Sequence, residues 1–223
     1  MANQPIVSLG TQLAVAYEAL LRTEEPALST PTAMIGAAER LDRVSELGRR
    51  IRLLVAERIP TAPDDALVFV NLHAQDMLDP DLVSLTAPLS AFADRVVLEI
   101  TERAALSPVR EIEARAEILR FMGFRIALDD LGAGYAGLTS FATLEPEFVK
   151  LDMSLIRGIH ASEVRQRLVG SVVSLCGEMK KGIIAEGIEV GDERDRLQEL
   201  GCDWMQGYLF ARPSPPFTEP VWD

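Results

Sequence analysis

The stretch Ile6-Val7-Ser8-Leu9-Gly10-Thr11-Gln12-Leu13-Ala14-Val15-Ala16-Tyr17 decides the fold. Its two β-prone apolar runs are separated by Gly10-Thr11-Gln12, which is too short for a parallel crossover, so the first strand runs antiparallel to the second. Six further runs read as strands: Leu67-Val68-Phe69-Val70, Val96-Val97-Leu98, Arg125-Ile126-Ala127-Leu128, Phe148-Val149-Lys150-Leu151, Gly182-Ile183-Ile184-Ala185 and Trp204-Met205-Gln206-Gly207-Tyr208-Leu209-Phe210. Helical patterns, with apolar positions three and four residues apart, lie between most of them at 31–58, 108–122, 162–181 and 192–200. Strand and helix thus alternate, and eight strands in 223 residues point to an α/β fold, a TIM-like (β/α)8 barrel with an antiparallel first strand. No repeat, low-complexity tract or polar linker interrupts the chain, and the Pro-rich tail 213–220 follows the last strand, so residues 1–223 read as one domain.

The composition is that of a globular protein, with 48% hydrophobic residues, and it excludes disorder. A chain of this length buries roughly 70–75% of the surface it exposes when unfolded. It needs no metal merely to fold, so any metal serves chemistry. Lys plus Arg number 22 against 34 Asp plus Glu, a net charge of −12, and no basic run compensates. Binding to polymeric nucleic acid is therefore not expected. Cys176 and Cys202 lie far apart without metal-ligand spacing, which suits a reduced, cytoplasmic setting and a packing role. No run of about 18 apolar residues exists, so no membrane insertion is expected.

In a parallel barrel, catalytic groups collect at the C-terminal ends of the strands. Here the second strand runs into Glu18, the third into Asn71, the fourth into Glu99, the fifth into Asp129-Asp130 and the seventh into Glu186. The sixth carries Lys150 and Asp152, and the eighth carries Gln206. Because the first strand is reversed, its beginning lies at the same mouth and brings Gln4 there. Glu18, Glu99, Asp129, Asp130 and Glu186 facing one Lys150 would repel one another severely, so the cluster calls for cations. All-oxygen ligation selects hard divalent ions such as Mg²⁺ or Mn²⁺ over zinc. Adjacent aspartates at a strand end can reach two such ions, the arrangement used for displacement at phosphorus, and phosphodiester hydrolysis is the natural chemistry. Asp152 reads instead as a helix cap, His73 as a loop or rim residue, and the charged run 111–120 as a solvated helix face.

The strings Glu18-Ala19-Leu20-Leu21-Arg22, Val70-Asn71-Leu72, Leu98-Glu99-Ile100-Thr101-Glu102-Arg103, Leu128-Asp129-Asp130-Leu131-Gly132-Ala133-Gly134-Tyr135, Val149-Lys150-Leu151-Asp152, Ala185-Glu186-Gly187-Ile188-Glu189 and Gly201-Cys202-Asp203-Trp204-Met205-Gln206-Gly207-Tyr208 resemble, in order, the motifs of EAL-domain cyclic di-GMP phosphodiesterases. The resemblance covers essentially the whole chain. It implies two Mg²⁺ or Mn²⁺ ions and hydrolysis of cyclic di-GMP to linear pGpG in bacterial second-messenger signalling. By analogy Glu18, Asn71, Glu99 and Asp129 hold the first ion. Asp129 bridges to the second, which Asp130 holds and Glu186 supports. Lys150 is expected to act in catalysis with Asp130 and Glu186, while Gln4, Arg22 and Gln206 bind the ligand. Glu102 is expected to anchor the loop that starts at Asp130.

The resemblance also implies a homodimer, and a longer parent chain carrying sensor or GGDEF modules. The chain departs from the family pattern at Leu131, Ala133, Ala136 and Gly137, where hydroxyls that could order the loop are missing, at Thr23 and across 24–29. No metal ligand is lost. A catalytically inactive cyclic di-GMP receptor is the alternative from another functional class, and a barrel lyase or isomerase working on metal-bound enolates is a third.

Overall fold

The structure, a computed structural model, describes residues 1–101, 109–134 and 137–222. Eight strands close into a barrel in sequence order: β1 (Ala2–Ser8), β2 (Leu13–Leu20), β3 (Leu67–Leu72), β4 (Val96–Thr101), β5 (Arg125–Leu131), β6 (Phe148–Leu151), β7 (Gly182–Ala185) and β8 (Trp204–Met205). β1 is antiparallel to both β2 and β8, and every other neighbouring pair is parallel. The described helices are α1 (Pro31–Arg40), α2 (Val44–Arg58), α3 (Val109–Phe121), α4 (Gly137–Leu144), α5 (Met153–Ile156), α6 (Glu163–Glu178) and α7 (Gly191–Glu199). Among the described residues no helix is long and apolar enough to cross a membrane.

Period-two alternation along the strands builds the barrel interior as two layers. Ile6, Ala16, Phe69, Val97, Ala127 and Ile184 pack together in one layer, with Phe148 and Trp204 against them. Two residues along from each of these eight, in the direction of the mouth, stand Gln4, Glu18, Asn71, Glu99, Asp129, Glu186, Lys150 and Gln206. Each strand therefore contributes one apolar residue to the floor and one polar residue to the layer above it. Phe148 stacks on Trp204 with centroids 5.4 Å apart and meets Phe69 edge-on, which closes the floor. The outward faces of the strands form the larger core beneath the helices, where Cys176 and Cys202 are both buried.

Two elements differ from the sequence reading. The helical pattern 31–58 breaks in two because Asp42 turns left-handed at φ +52°, which ends α1 and lets α2 start at a new angle. The eighth run, expected as Trp204 to Phe210, is strand only over Trp204–Met205. Beyond it the chain pairs with the connection after β7: Ile188 N–H donates to the Gln206 carbonyl and Leu209 N–H to the Ile188 carbonyl. A Cβ on Gly207 would stand 2.0 Å from the Ile188 oxygen, so this close crossing requires glycine. The tail returns to the barrel. Ser214 bridges to Asn3, and Phe217 meets Tyr17 edge-on at 5.0 Å.

The connection after β3, which begins just past Asn71, is tied to α2 by a buried ion network. Arg52 reaches Asp76 at 2.9 Å and Asp79 at 2.6 Å, and Arg49 reaches Asp79 at 2.7 Å. Asp76 also accepts the His73 N–H, which fixes the chain two residues beyond Asn71. Burial alone would raise the Asp79 pKa, but bonds from Arg49, the Asp81 amide and Arg52 outweigh it and hold the carboxyl at about 2. Its folded value is depressed, so its contribution is complete above the ordinary carboxylate range of about 4 and is lost as pH falls toward 2. Removing Arg52 leaves the buried Asp76 carboxylate without its ion-pair partner and takes one of two arginines from Asp79. Arg52→Ala should lower stability in urea unfolding by about 3–5 kcal/mol, and a loss below about 1 kcal/mol would mean the network behaves as an exposed ion pair.

Candidate active site

The polar layer places one ammonium among carboxylates. Lys150 on β6 is 1% exposed, and its Nζ lies 2.7 Å from Glu186, 3.3 Å from Asp129 and 3.5 Å from Glu18, with Glu99 in direct contact. Glu18 is further held by amides: Asn71 Nδ2 donates to its Oε1 at 2.8 Å and Gln206 Nε2 to its Oε2 at 2.7 Å. Gln206 also donates to Gln4 Oε1 at 3.1 Å, and Gln4 in turn donates to the Ala211 carbonyl. The register partner of Gln4 on β2 is Glu18, so the antiparallel first strand does deliver Gln4 to the mouth.

Asp129 and Asp130 are consecutive, and in a regular strand one of them would face away. β5 instead carries one extra residue against β6: Leu128 pairs with Val149 and Leu131 with Leu151. Asp130 absorbs this bulge in the left-handed region at φ +59°, an uncommon conformation for a residue with a side chain. The result is that Asp129, Asp130 and Glu186 each offer a carboxylate oxygen within 4.8 Å of one another. Backbone strain at β5 thus makes a three-carboxylate corner.

The charge balance is unfavourable without further cations. Among the described residues, Lys150 is the only cation in ion-pair contact with Glu18, Glu99, Asp129 or Glu186. Burial, followed by the charges of Glu18 and Asp129, pushes Glu99 well above the carboxylate range, and its Oε2 is buried without a hydrogen-bond donor. Burial and Asp129 push Asp130 up to about 6, while burial, opposed by Lys150, takes Glu186 to about 8. Burial also works against Glu18, but Lys150 and the two amide donors hold it below its ordinary value. Burial would lower the Lys150 pKa, yet the surrounding carboxylates keep it firmly protonated. An all-oxygen donor set, orphaned carboxylate oxygens and carboxyls pushed toward their protonated forms fit hard divalent cations.

Two cavities meet at Glu18. One of about 300 Å³ is lined by Gln4, Asp130, Asp152, Glu186 and Gln206, together with Met153, Arg157, Gly187, Glu189, Gly207 and Tyr208. The other, about 600 Å³, is more apolar and lies between Leu20, Leu21, Ile35, Leu47, Asn71 and His73. Asp152 accepts the Ser154 N–H as a cap, as read from the sequence, and also lines the first cavity. His73 caps the turn that follows β3 and faces Glu39 at 3.2 Å. Arg22 is not brought to either cavity. It is exposed and donates to the Leu21 carbonyl. Glu102, Tyr135 and Ala136 lie outside the described residues. Arg157, Glu189 and Tyr208 were given no role from sequence: Arg157 and Glu189 sit on connections where no strand or helix period singles out a residue, and Tyr208 fell within the run expected to continue the eighth strand.

The sequence profile of the EAL domain matches residues 1–213. The chain belongs to the EAL domain family. It is 29% identical over 220 residues to the probable cyclic di-GMP phosphodiesterase PdeG of Escherichia coli, covering 94% of this chain and 43% of that protein. It is 30% identical over 222 residues to the cyclic di-GMP phosphodiesterase RocR of Pseudomonas aeruginosa, covering 95% and 56%. The chain thus spans about half the length of these curated relatives, or less. Among solved structures, the manganese and cyclic di-GMP complex of Klebsiella pneumoniae BlrP1 at pH 9.0 superposes with a TM-score of 0.90 at 31% identity, covering 99% of this chain and 57% of that one.

A divalent cation binds carboxylates in their deprotonated form. With Asp130 held at about 6 and Glu186 at about 8 in the metal-free protein, Mn²⁺ affinity should climb as pH rises through that range, and calorimetry in buffers of different ionisation enthalpy should detect released protons. An affinity independent of pH, with no proton release, would contradict the shifted carboxyls.

Proposed function

We propose that residues 1–223 form one EAL-type domain that hydrolyses cyclic di-GMP to linear pGpG with two divalent cations, Mg²⁺ or Mn²⁺. The observation that carries this reading is the carboxylate layer facing a single buried ammonium, with a bulge turning a second aspartate into it. In this proposal Glu18, Asn71, Glu99 and Asp129 hold one ion, and Asp129, Asp130 and Glu186 the other. Bound there, the ions supply Lewis-acid polarisation of a phosphate oxygen and a water whose pKa is lowered toward neutrality. Two cavities of different polarity joined at Glu18 suit a ligand with two bases on either side of a phosphodiester.

The chain's own residues then have separable tasks. Lys150, protonated throughout the working range, offsets charge that develops on phosphorus oxygens and keeps the carboxylates in register before any cation arrives. Gln206 holds Glu18 through its Nε2 and keeps a buried Oε1 without a donor, free to accept from the ligand. Gln4 fixes the Gln206 amide orientation. Arg22, assigned to ligand binding with them, must turn inward from its exposed position to act. The domain would work in the cytoplasm as a homodimer within a longer chain carrying sensor or GGDEF modules.

Product analysis with cyclic di-GMP tests this reading. Mg²⁺ or Mn²⁺ should give linear pGpG, excess EDTA should abolish turnover, and Ca²⁺ should permit binding without hydrolysis because its longer, looser coordination misplaces the nucleophile. Intact cyclic di-GMP, bound in the presence of Mn²⁺ but never cleaved, would replace the enzyme with a receptor.

A further inference from the structure

Of the eight residues in the polar layer, Asn71 alone is exposed, whereas Glu186 is half-buried and the other six are buried. Its strand is also held on one side only. β3 pairs with β2 as far as Val70, one residue short of Asn71, and with β4 through Asn71 and Leu72. Neither side-chain burial nor pairing with β2 therefore fixes Asn71. Its Nδ2 donates to Glu18 at 2.8 Å, which orients the amide and leaves Oδ1 as the oxygen available to a cation. We propose that Arg52 of α2 is a positioning residue that sets Asn71 for a divalent cation, acting through Asp76 and the backbone of His73. The inference rests on the cation reading above.

The path from arginine to ligand is short. Asp76 grips His73 twice: its carboxylate accepts the His73 N–H at 3.1 Å, and its own N–H donates to the His73 carbonyl at 2.9 Å. Between His73 and Asn71 stands only the buried Leu72. The other Asp76 oxygen accepts from Arg52 Nη1 at 2.9 Å, while Nη2 of the same guanidinium reaches Asp79 at 2.6 Å. Asp79 is joined to Asp76 in turn, since its N–H donates to the Asp76 carbonyl at 3.0 Å. Arg52, Asp76 and Asp79 are all buried, so these bonds form away from competing water. A planar fork fastened to two carboxylates fixes the orientation of the turn as well as its distance from α2, which a point charge cannot do.

The helix is shaped to receive this turn. A Cβ on Gly48 would stand 1.9 Å from Asp76 Oδ1, so α2 gives up a side chain where the carboxylate comes in, one helical turn before Arg52. Glycine inside a helix costs about 1 kcal/mol relative to alanine, and a buried ion pair is often no more stable than apolar side chains packed in its place. The arrangement thus gives up stability, and it ends at the mouth. Gly48, Asp76, His73 and Asn71 all line the larger cavity, which reaches Glu18. Groups that orient a metal ligand from behind carry roughly ten- to hundredfold in metal affinity, which matches the place of Arg52 behind Asn71.

Calorimetric titration of Mn²⁺ into wild type, Arg52→Lys, Asn71→Ala and the double variant tests the assignment, with urea unfolding to show that each protein is folded. Arg52→Lys keeps the charge but loses the fork, so it should bind one of two Mn²⁺ ions roughly ten- to hundredfold more weakly and the other as wild type does. Asn71→Ala should weaken the same ion, and adding Arg52→Lys to it should cost nothing more, because the arginine acts through Asn71. Asp76→Asn, which removes the carboxylate that links Arg52 to His73, carries the same expectations and takes the place of Arg52→Lys if that variant does not fold. Wild-type affinity for both ions, or equal loss at both, would overturn the positioning role and leave a network that only stabilises the fold. Additive losses in the double variant would overturn the route through Asn71. Failure of the wild type to bind any Mn²⁺ would instead remove the cation reading, and this role with it.

Discussion

One buried ammonium ion, Lys150 Nζ, facing four carboxylates is the interaction on which the rest of this structure depends. Burying a charge costs several kcal/mol unless it is paired, and burying several like charges costs more. The barrel accepts that cost in a single layer. Below it the aromatic and aliphatic floor excludes water, which strengthens every interaction above. The same low-dielectric setting that raises Glu99 and Glu186 also makes the layer receptive to added positive charge. A stable fold and an electrostatically unsatisfied mouth thus come from one alternation of apolar and polar residues along eight strands.

The connections around the mouth are held by a recurring device, a buried charged side chain that spends its hydrogen bonds on a loop rather than on another strand. Arg52 secures the segment after β3 through Asp76 and Asp79, and Glu193 secures the segments after β6 and β7 through two backbone amides. These contacts set the cavity walls, whereas strand register sets the carboxylates. The carboxylate layer at the centre and the walls of the cavities therefore rest on different parts of the chain.

Most of the barrel was legible in the sequence because strand, turn and helix signals there are local. The three-residue Gly10-Thr11-Gln12 connection set the reversed first strand, and period-two alternation put Gln4 beside Glu18. Legibility failed where geometry is decided by tertiary contact. Nothing local signals that β5 bulges at Asp130, yet without that bulge the adjacent aspartates would point apart. β8 looked seven residues long because its apolar run continues, while the Ile188 backbone captures the chain after Met205. Arg22 looked like a ligand contact by its place in a motif, but its guanidinium lies outside both cavities. Arg157 was invisible, since its partners Glu189 and Glu193 are distant in sequence and meet it only in the folded chain.

The counter-ion role of Lys150 is open to direct measurement by denaturant unfolding of wild type and Lys150→Met, each in EDTA and in saturating Mn²⁺. Removing the one cation that, among the described residues, pairs with the buried carboxylate cluster should cost about 3–5 kcal/mol in EDTA. Mn²⁺ should narrow the gap, because a divalent cation neutralises the same carboxylates and stabilises the folded state by linkage. Equal stability of the two proteins in EDTA would contradict the central place given to Lys150.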